Sequence, residues 1–218
     1  MSLPALRQYG QDMAVIEQAT LRPSKAEALA AWLPVQAWSG VVAGAPLQVV
    51  GQFRFDDPAG EVGVEVLLVR TEDGRVLQAP LTYRDAPLPG ADAFLVTEMD
   101  HSVLGRRWVY DAVGDPVHAD VLRRAIVTGG HEAELELANG AGRRPKDAWA
   151  RGSGSAPDSP TVTSVRATAA DAVTSIATDH GTIVIARVVG APLPEGETLT
   201  GTWADGSGAL AVLLPERA

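Results

Sequence analysis

The chain has 218 residues, 46% of them hydrophobic and 5% aromatic, with a formal net charge of −9. That suffices for one large domain or two small ones, and the acidic balance argues against a nucleic-acid partner or an anionic membrane surface. The lack of cysteine excludes disulfides and thiol chemistry. No apolar run reaches membrane-spanning length, and no basic segment followed by an apolar block opens the sequence, so a cytoplasmic protein without a signal peptide is expected.

Residues 1–12 read as a polar, irregular extension. Residues 13–22 alternate as a strand can. Ser24 is placed to N-cap a helix, with Glu27 at the capping-box spacing and Ala28, Leu29 and Trp32 as the apolar stripe. Pro34 ends that helix. Four strands are expected next: 47–55, 61–70, 76–84 and 93–100. The second becomes continuously apolar, as a central strand does, and Asp73-Gly74 supplies the hairpin turn that follows it. Residues 85–90 are a Pro/Gly loop.

Residues 101–126 organise the rest. Gly105 permits a sharp turn, and Trp108, Val109 and Tyr110 extend as a strand with Trp108 and Tyr110 on one face. Asp115 is a good N-cap and Pro116 suits the first helical position. Val117, Val121, Leu122, Ala125 and Ile126 recur at helical spacing, Arg123 and Arg124 suit the C-terminal dipole, and Gly129-Gly130 stops the helix. Trp108 is expected in the core between sheet and helix. The region 13–139 thus predicts an α+β fold, a curved antiparallel sheet with helices packed on one side. Residues 141–160, rich in Gly, Pro, Ser and charge, read as a linker with Trp149 as its one notable apolar residue. Residues 161–218 then form a small β-rich segment, with Asp179-His180-Gly181 as a hairpin turn.

Three stretches, WLPVQAW (32–38), APLTYR (79–84) and HSVLGRRWVYD (101–111) followed by Asp115-Pro116, resemble the N-terminal cap of the actinobacterial maltokinases. The resemblance covers 13–139 and implies a cystatin-like cap and an association with α-glucan or trehalose metabolism. Residues 173–188 resemble, more weakly, the kinase N-lobe region that follows the cap. There the family has an Asn-Thr-Ser element and a strand carrying a phosphate-holding lysine. Here Val173-Thr174-Ser175 lacks the Asn, the lysine position aligns with Ala186, and no lysine follows Lys146. The sequence also ends before a kinase C-lobe could begin, and no HGD-type loop is present, so no catalytic residue is assigned.

Other patterns carry little chemistry. Asp115, His118 and Asp120 suggest a metal cluster, but 118 and 120 do not share a helix face. His131-Glu132 begins no HExxH, and the glycines of 152–157 precede no GK[ST]. No metal or cofactor is expected. The candidate ligand contacts are His101, Arg106, Arg107, Trp108, Tyr110 and Asp111, since aromatic plus Arg is common at sugar and phosphate sites and in packed surfaces alike. His101 beside Asp100 could be half of an acid–base pair, but adjacent strand residues point to opposite faces, which favours a structural hydrogen bond. Two readings follow. One is a non-catalytic interaction or regulatory module, partnered by another protein of α-glucan or trehalose metabolism. The other is a divergent kinase-related protein binding nucleotide or sugar phosphate together with a partner.

Overall fold

A computed structural model describes residues 15–16, 20–134, 136–137 and 145–214. The described part opens with β1 (Val15–Ile16), β2 (Leu21–Arg22) and helix α1 (Lys25–Trp32). It continues through β3 (Leu47–Phe55), β4 (Gly63–Thr71), β5 (Val76–Arg84), β6 (Leu95–His101) and β7 (Gly105–Asp111) to helix α2 (Pro116–Thr128). Next come β8 (Glu136–Leu137), β9 (Ala148–Gly152), β10 (Val165–Ala170), β11 (Val173–Thr178), β12 (Gly181–Ala186), β13 (Glu197–Trp203) and β14 (Gly206–Leu214). The expected 13–22 strand is represented by β1 and β2; its residues 13, 14 and 17–19 lie outside the described residues, as do 1–12.

Two antiparallel six-stranded sheets result. The first has the order β2-β6-β7-β5-β4-β3 and the second β10-β11-β12-β14-β13-β9, while β1 and β8 pair in parallel. Register shifts at Val50 in β3 and Val96 in β6 are bulges, which bend a strand and sharpen its twist. With two α-helices among the described residues, this part of the fold is mostly β, compatible with α+β in the broad sense. The expected β-rich segment supplies five strands of the second sheet, β10 to β14, and β9 supplies the sixth.

Local chemistry accounts for both helices. Ser24 Oγ accepts from the Glu27 N–H at 3.2 Å and the Glu27 carboxylate accepts from the Ser24 N–H at 2.8 Å, completing the capping box. Asp115 accepts from the Val117 N–H at 3.0 Å to cap α2, and Gly129 closes it in the left-handed region at φ 66°. The same Asp115 carboxylate receives two hydrogen bonds from Arg84 at 2.7 Å each, fixing the start of α2 against β5. The ion pair holds the Arg84 guanidinium above its ordinary pKa, the hydrogen bonds to Asp115 outweighing its partial burial.

The helices lie on opposite faces of the first sheet, not on one side as the pattern suggested. Ala28, Leu29 and Trp32 of α1 cluster with Leu67, Val69, Leu77, Ala79, Leu81 and Val109. Val121, Leu122, Ala125 and Ile126 of α2 cluster with Phe53, Val64, Val66 and Leu68, and with Ile183, Ile185, Leu199, Trp203 and Leu213 of the second sheet. So α2 lies between the sheets. That explains why β4 reads as a continuous apolar run: both its faces are covered.

The stretch expected to be a linker also departs from expectation. Residues 141–144 lie outside the described residues, but Ala148–Gly152 is strand β9, paired with β13. Beyond it, the Gly154 and Ala156 N–H groups donate to the Ile126 and Val127 carbonyls at 2.9 and 2.8 Å, satisfying the last turn of α2. A Cβ on Gly152 or Gly154 would overlap the Ala125 or Val127 carbonyl, so these glycines serve close packing. Arg123 and Arg124, placed by sequence for the helix dipole, reach the same region: Arg123 donates to Ser159 Oγ at 2.6 Å and Arg124 to Asp158 at 2.6 Å.

Candidate functional site

The six sequence-predicted residues divide along the β6–β7 hairpin. At its turn, His101 Nδ1 accepts from the Val103 and Leu104 N–H groups at 3.2 and 3.1 Å, a structural role at the loop. Arg106 pairs with Glu98 at 3.0 Å, and its guanidinium lies 5.8 Å from the centre of the Trp108 ring. Arg107 donates to the Arg106 carbonyl at 3.2 Å. Trp108 is half-buried, contrary to the core position expected of it. At the other end Tyr110 is buried and its hydroxyl accepts from the Leu88 N–H at 2.9 Å. Asp111 is buried too, on the opposite strand face from Trp108 and Tyr110. The structure therefore brings Arg106 and Trp108 together at the surface and places Asp111 elsewhere.

What Asp111 meets is Arg187. The guanidinium donates to both carboxylate oxygens, at 3.0 and 2.5 Å, and to Thr174 Oγ1 at 2.8 Å. It also lies 4.7 Å from the centre of the Trp38 ring. Only 2% of the Arg187 side chain is exposed, so every polar edge of this cation is taken by protein. The backbone helps: the Gln78 N–H donates to the Arg187 carbonyl at 2.8 Å, and Val189 donates to the Val76 carbonyl at 2.8 Å. The chain leaving β12 is thus stitched to β5, and Arg187 crosses from the second sheet into the first. Ala186, where the kinase-like pattern would place a lysine, is fully buried.

His118 lies on α2 nearby. Burial pushes its imidazole pKa down to about 4, with the Arg187 cation adding to the effect and Asp115 opposing it. Neither ring nitrogen makes a well-formed hydrogen bond among the described residues. Asp120 accepts from the Val162 N–H at 2.8 Å, and no described cluster of three His, Asp or Glu side chains could hold a metal ion.

A second location was missed in the sequence because it falls in the apparent linker. An open depression of about 590 Å³ lies beside β9, lined by His131, Glu132, Glu134, Lys146, Trp149 and Arg151 among others. Its floor is fixed. Lys146 Nζ bridges Glu132 at 2.5 Å and Glu134 at 2.6 Å, while Glu132 accepts from the Ala150 N–H at 2.9 Å. Burial lowers the Lys146 pKa, but the hydrogen bonds to Glu132 and Glu134 outweigh it, leaving the pKa above its ordinary value. Trp149 is 47% exposed on the outer face of β9, with Arg151 two residues along on the same face. The exposed Trp within a polar stretch was the one signal available to sequence reasoning.

The described helices include none long and apolar enough to cross a membrane. No curated protein matches the chain. Residues 32–115 match the family model of the maltokinase N-terminal cap domain. The match runs from the end of α1 to the N-cap of α2 and contains all six hairpin candidates, whereas α2, β9 and the rest of the second sheet lie outside it. Over residues 32–115 the chain is similar to the maltokinase N-terminal cap domain.

Proposed function

We propose that the protein is a non-catalytic interaction or regulatory module built on a maltokinase-type, cystatin-like cap. Its setting is cytoplasmic, with another protein of α-glucan or trehalose metabolism as partner. The observation that carries this reading is the fate of the cation nearest the lysine position. Arg187 is committed to Asp111, Thr174 and Trp38, and Ala186 beside it is buried. Phosphoryl transfer depends on placed charge around the phosphates, and this strand offers none to solvent. The second sheet contributes packing: its inner face closes the core over α2. The test is a phosphoryl-transfer assay with ATP, Mg²⁺ and maltose, read by mass spectrometry of the sugar. Maltose is expected to remain unmodified through many protein equivalents of ATP. Multiple-turnover formation of maltose phosphate would overturn the proposal and favour the kinase-related reading.

A further inference from the structure

We propose that the depression beside β9 binds one pyranose unit of a neutral oligosaccharide. Its ligand class follows from three features. First, Trp149 exposes 47% of its surface, yet its strand is anchored, since Ala148 and Ala150 on the alternate face are each 1% exposed in the core. An indole held at a pocket rim presents a rigid apolar plane, which suits the C–H face of a sugar ring. Second, the described ionic side chains lining the depression balance in sign: Glu132 and Glu134 against Lys146 and Arg151. Glu132 is 4% exposed and both its oxygens are engaged, by Lys146 and the Ala150 N–H, so the exposed Arg151 is the charged donor the depression offers to a sugar hydroxyl, the stronger kind of hydrogen bond. Third, neighbouring groups extend the polar rim. Thr202 pairs with Trp149 and Thr200 with Arg151 across β13, and both threonines are exposed. His131 Nδ1 lies 2.7 Å from the Glu132 carbonyl and donates to it, which in the neutral imidazole leaves Nε2 as the acceptor.

Dimensions agree. Trp149 and Arg151, two residues apart on one strand face, are spaced by about 7 Å along the strand, the span of one sugar ring and its hydroxyls. The volume of about 590 Å³ falls within the usual range for small-ligand sites. The Lys146 bridge holds Glu132 and Glu134 in place before any ligand arrives, which reduces the ordering cost of binding. This inference does not rest on the proposed function, since the depression lies outside the matched cap region.

The test uses the full chain, with maltotriose and cellotriose as neutral probes and inorganic phosphate as the anionic one, followed by saturation-transfer NMR and calorimetric titration. At least one trisaccharide is expected to bind with a millimolar dissociation constant, with its ring protons saturated. Trp149→Ala should weaken binding at least tenfold, Trp149→Tyr should retain most of it, and Thr163→Ala, remote from the depression, should leave it unchanged. Circular dichroism of Trp149→Ala should match the parent, its indole being half outside the core. Binding of neither sugar, sugar binding indifferent to Trp149→Ala, or binding of phosphate in place of sugar would each overturn the proposal.

Discussion

Replacing Asp111 with Asn removes one negative charge and almost no volume, yet it should be among the most destabilising single changes in the chain. The carboxylate receives two hydrogen bonds from Arg187, and the two side chains are only 8% and 2% exposed. Asn can accept at one oxygen but turns a donor group towards the guanidinium, which is left as an uncompensated buried cation. Removing one partner of such a pair costs about 3–5 kcal/mol. For a chain of this length that corresponds to a loss of about 6–20 °C in Tm. Arg187→Met keeps a stem to pack on Trp38 but strands Asp111, so it should cost a similar amount. The double variant Asp111→Asn/Arg187→Met removes both charges and should be less destabilised than the sum of the singles by about 2–3 kcal/mol. Urea denaturation of the four proteins, monitored by tryptophan fluorescence, gives the cycle. A cost below about 1 kcal/mol for Asp111→Asn, or additive singles, would show that Arg187 is solvated and refute its structural role.

Three further outcomes are expected. His118 has a folded pKa of about 4 against an ordinary 6.5, so between those values the unfolded chain binds a proton that the folded chain does not. Its contribution is therefore fully present above pH 6.5 and is lost as pH falls towards 4, by about 3 kcal/mol in all; His118→Phe should flatten that part of a stability–pH profile, and an unchanged slope would refute the assignment. Gly152→Ala should cost about 1–3 kcal/mol, because its Cβ would overlap the Ala125 carbonyl, whereas Ser155→Ala, at an exposed position, should change urea stability by under about 0.5 kcal/mol; equal effects would contradict the close approach of β9 to α2. Trp108→Ala should cost only about 1–2 kcal/mol, since the ring is half-buried, and a loss above about 3 kcal/mol would restore it to the core.

Elements with strong local signals were legible. Ser24-Glu27, Asp115-Pro116 and Gly129 fixed both helices to within a residue or two, and Leu47–Phe55 and Val76–Arg84 were bounded correctly, because caps, prolines and alternation act within a few residues. Long-range pairings were not. Gly152 and Gly154 look like flexible linker residues until the end of α2 arrives beside them, and nothing local marks Ala148–Gly152 as a partner of β13. The same holds for the candidate site. Arg187 could be assigned a strand face but not its partner Asp111, 76 positions earlier. Arg106 lies against the Trp108 ring, yet burial depends on what covers a residue from elsewhere in the chain, and Tyr110 is buried where Trp108 on the same strand face is only half-buried.

The central claim is that the cation nearest the kinase-like lysine position belongs to the fold and not to a ligand. Titration of millimolar ATP–Mg²⁺ by calorimetry, with a parallel thermal-shift scan against sulfate, tests it most directly. With Arg187 held by Asp111 and Ala186 buried, no binding heat is expected, and Tm should move no more with ATP than with sulfate. A ligand at 100 times its dissociation constant would add about 2.7 kcal/mol, about 5–11 °C for a chain of this size. A shift of that size with ATP–Mg²⁺ but not with sulfate would contradict the account.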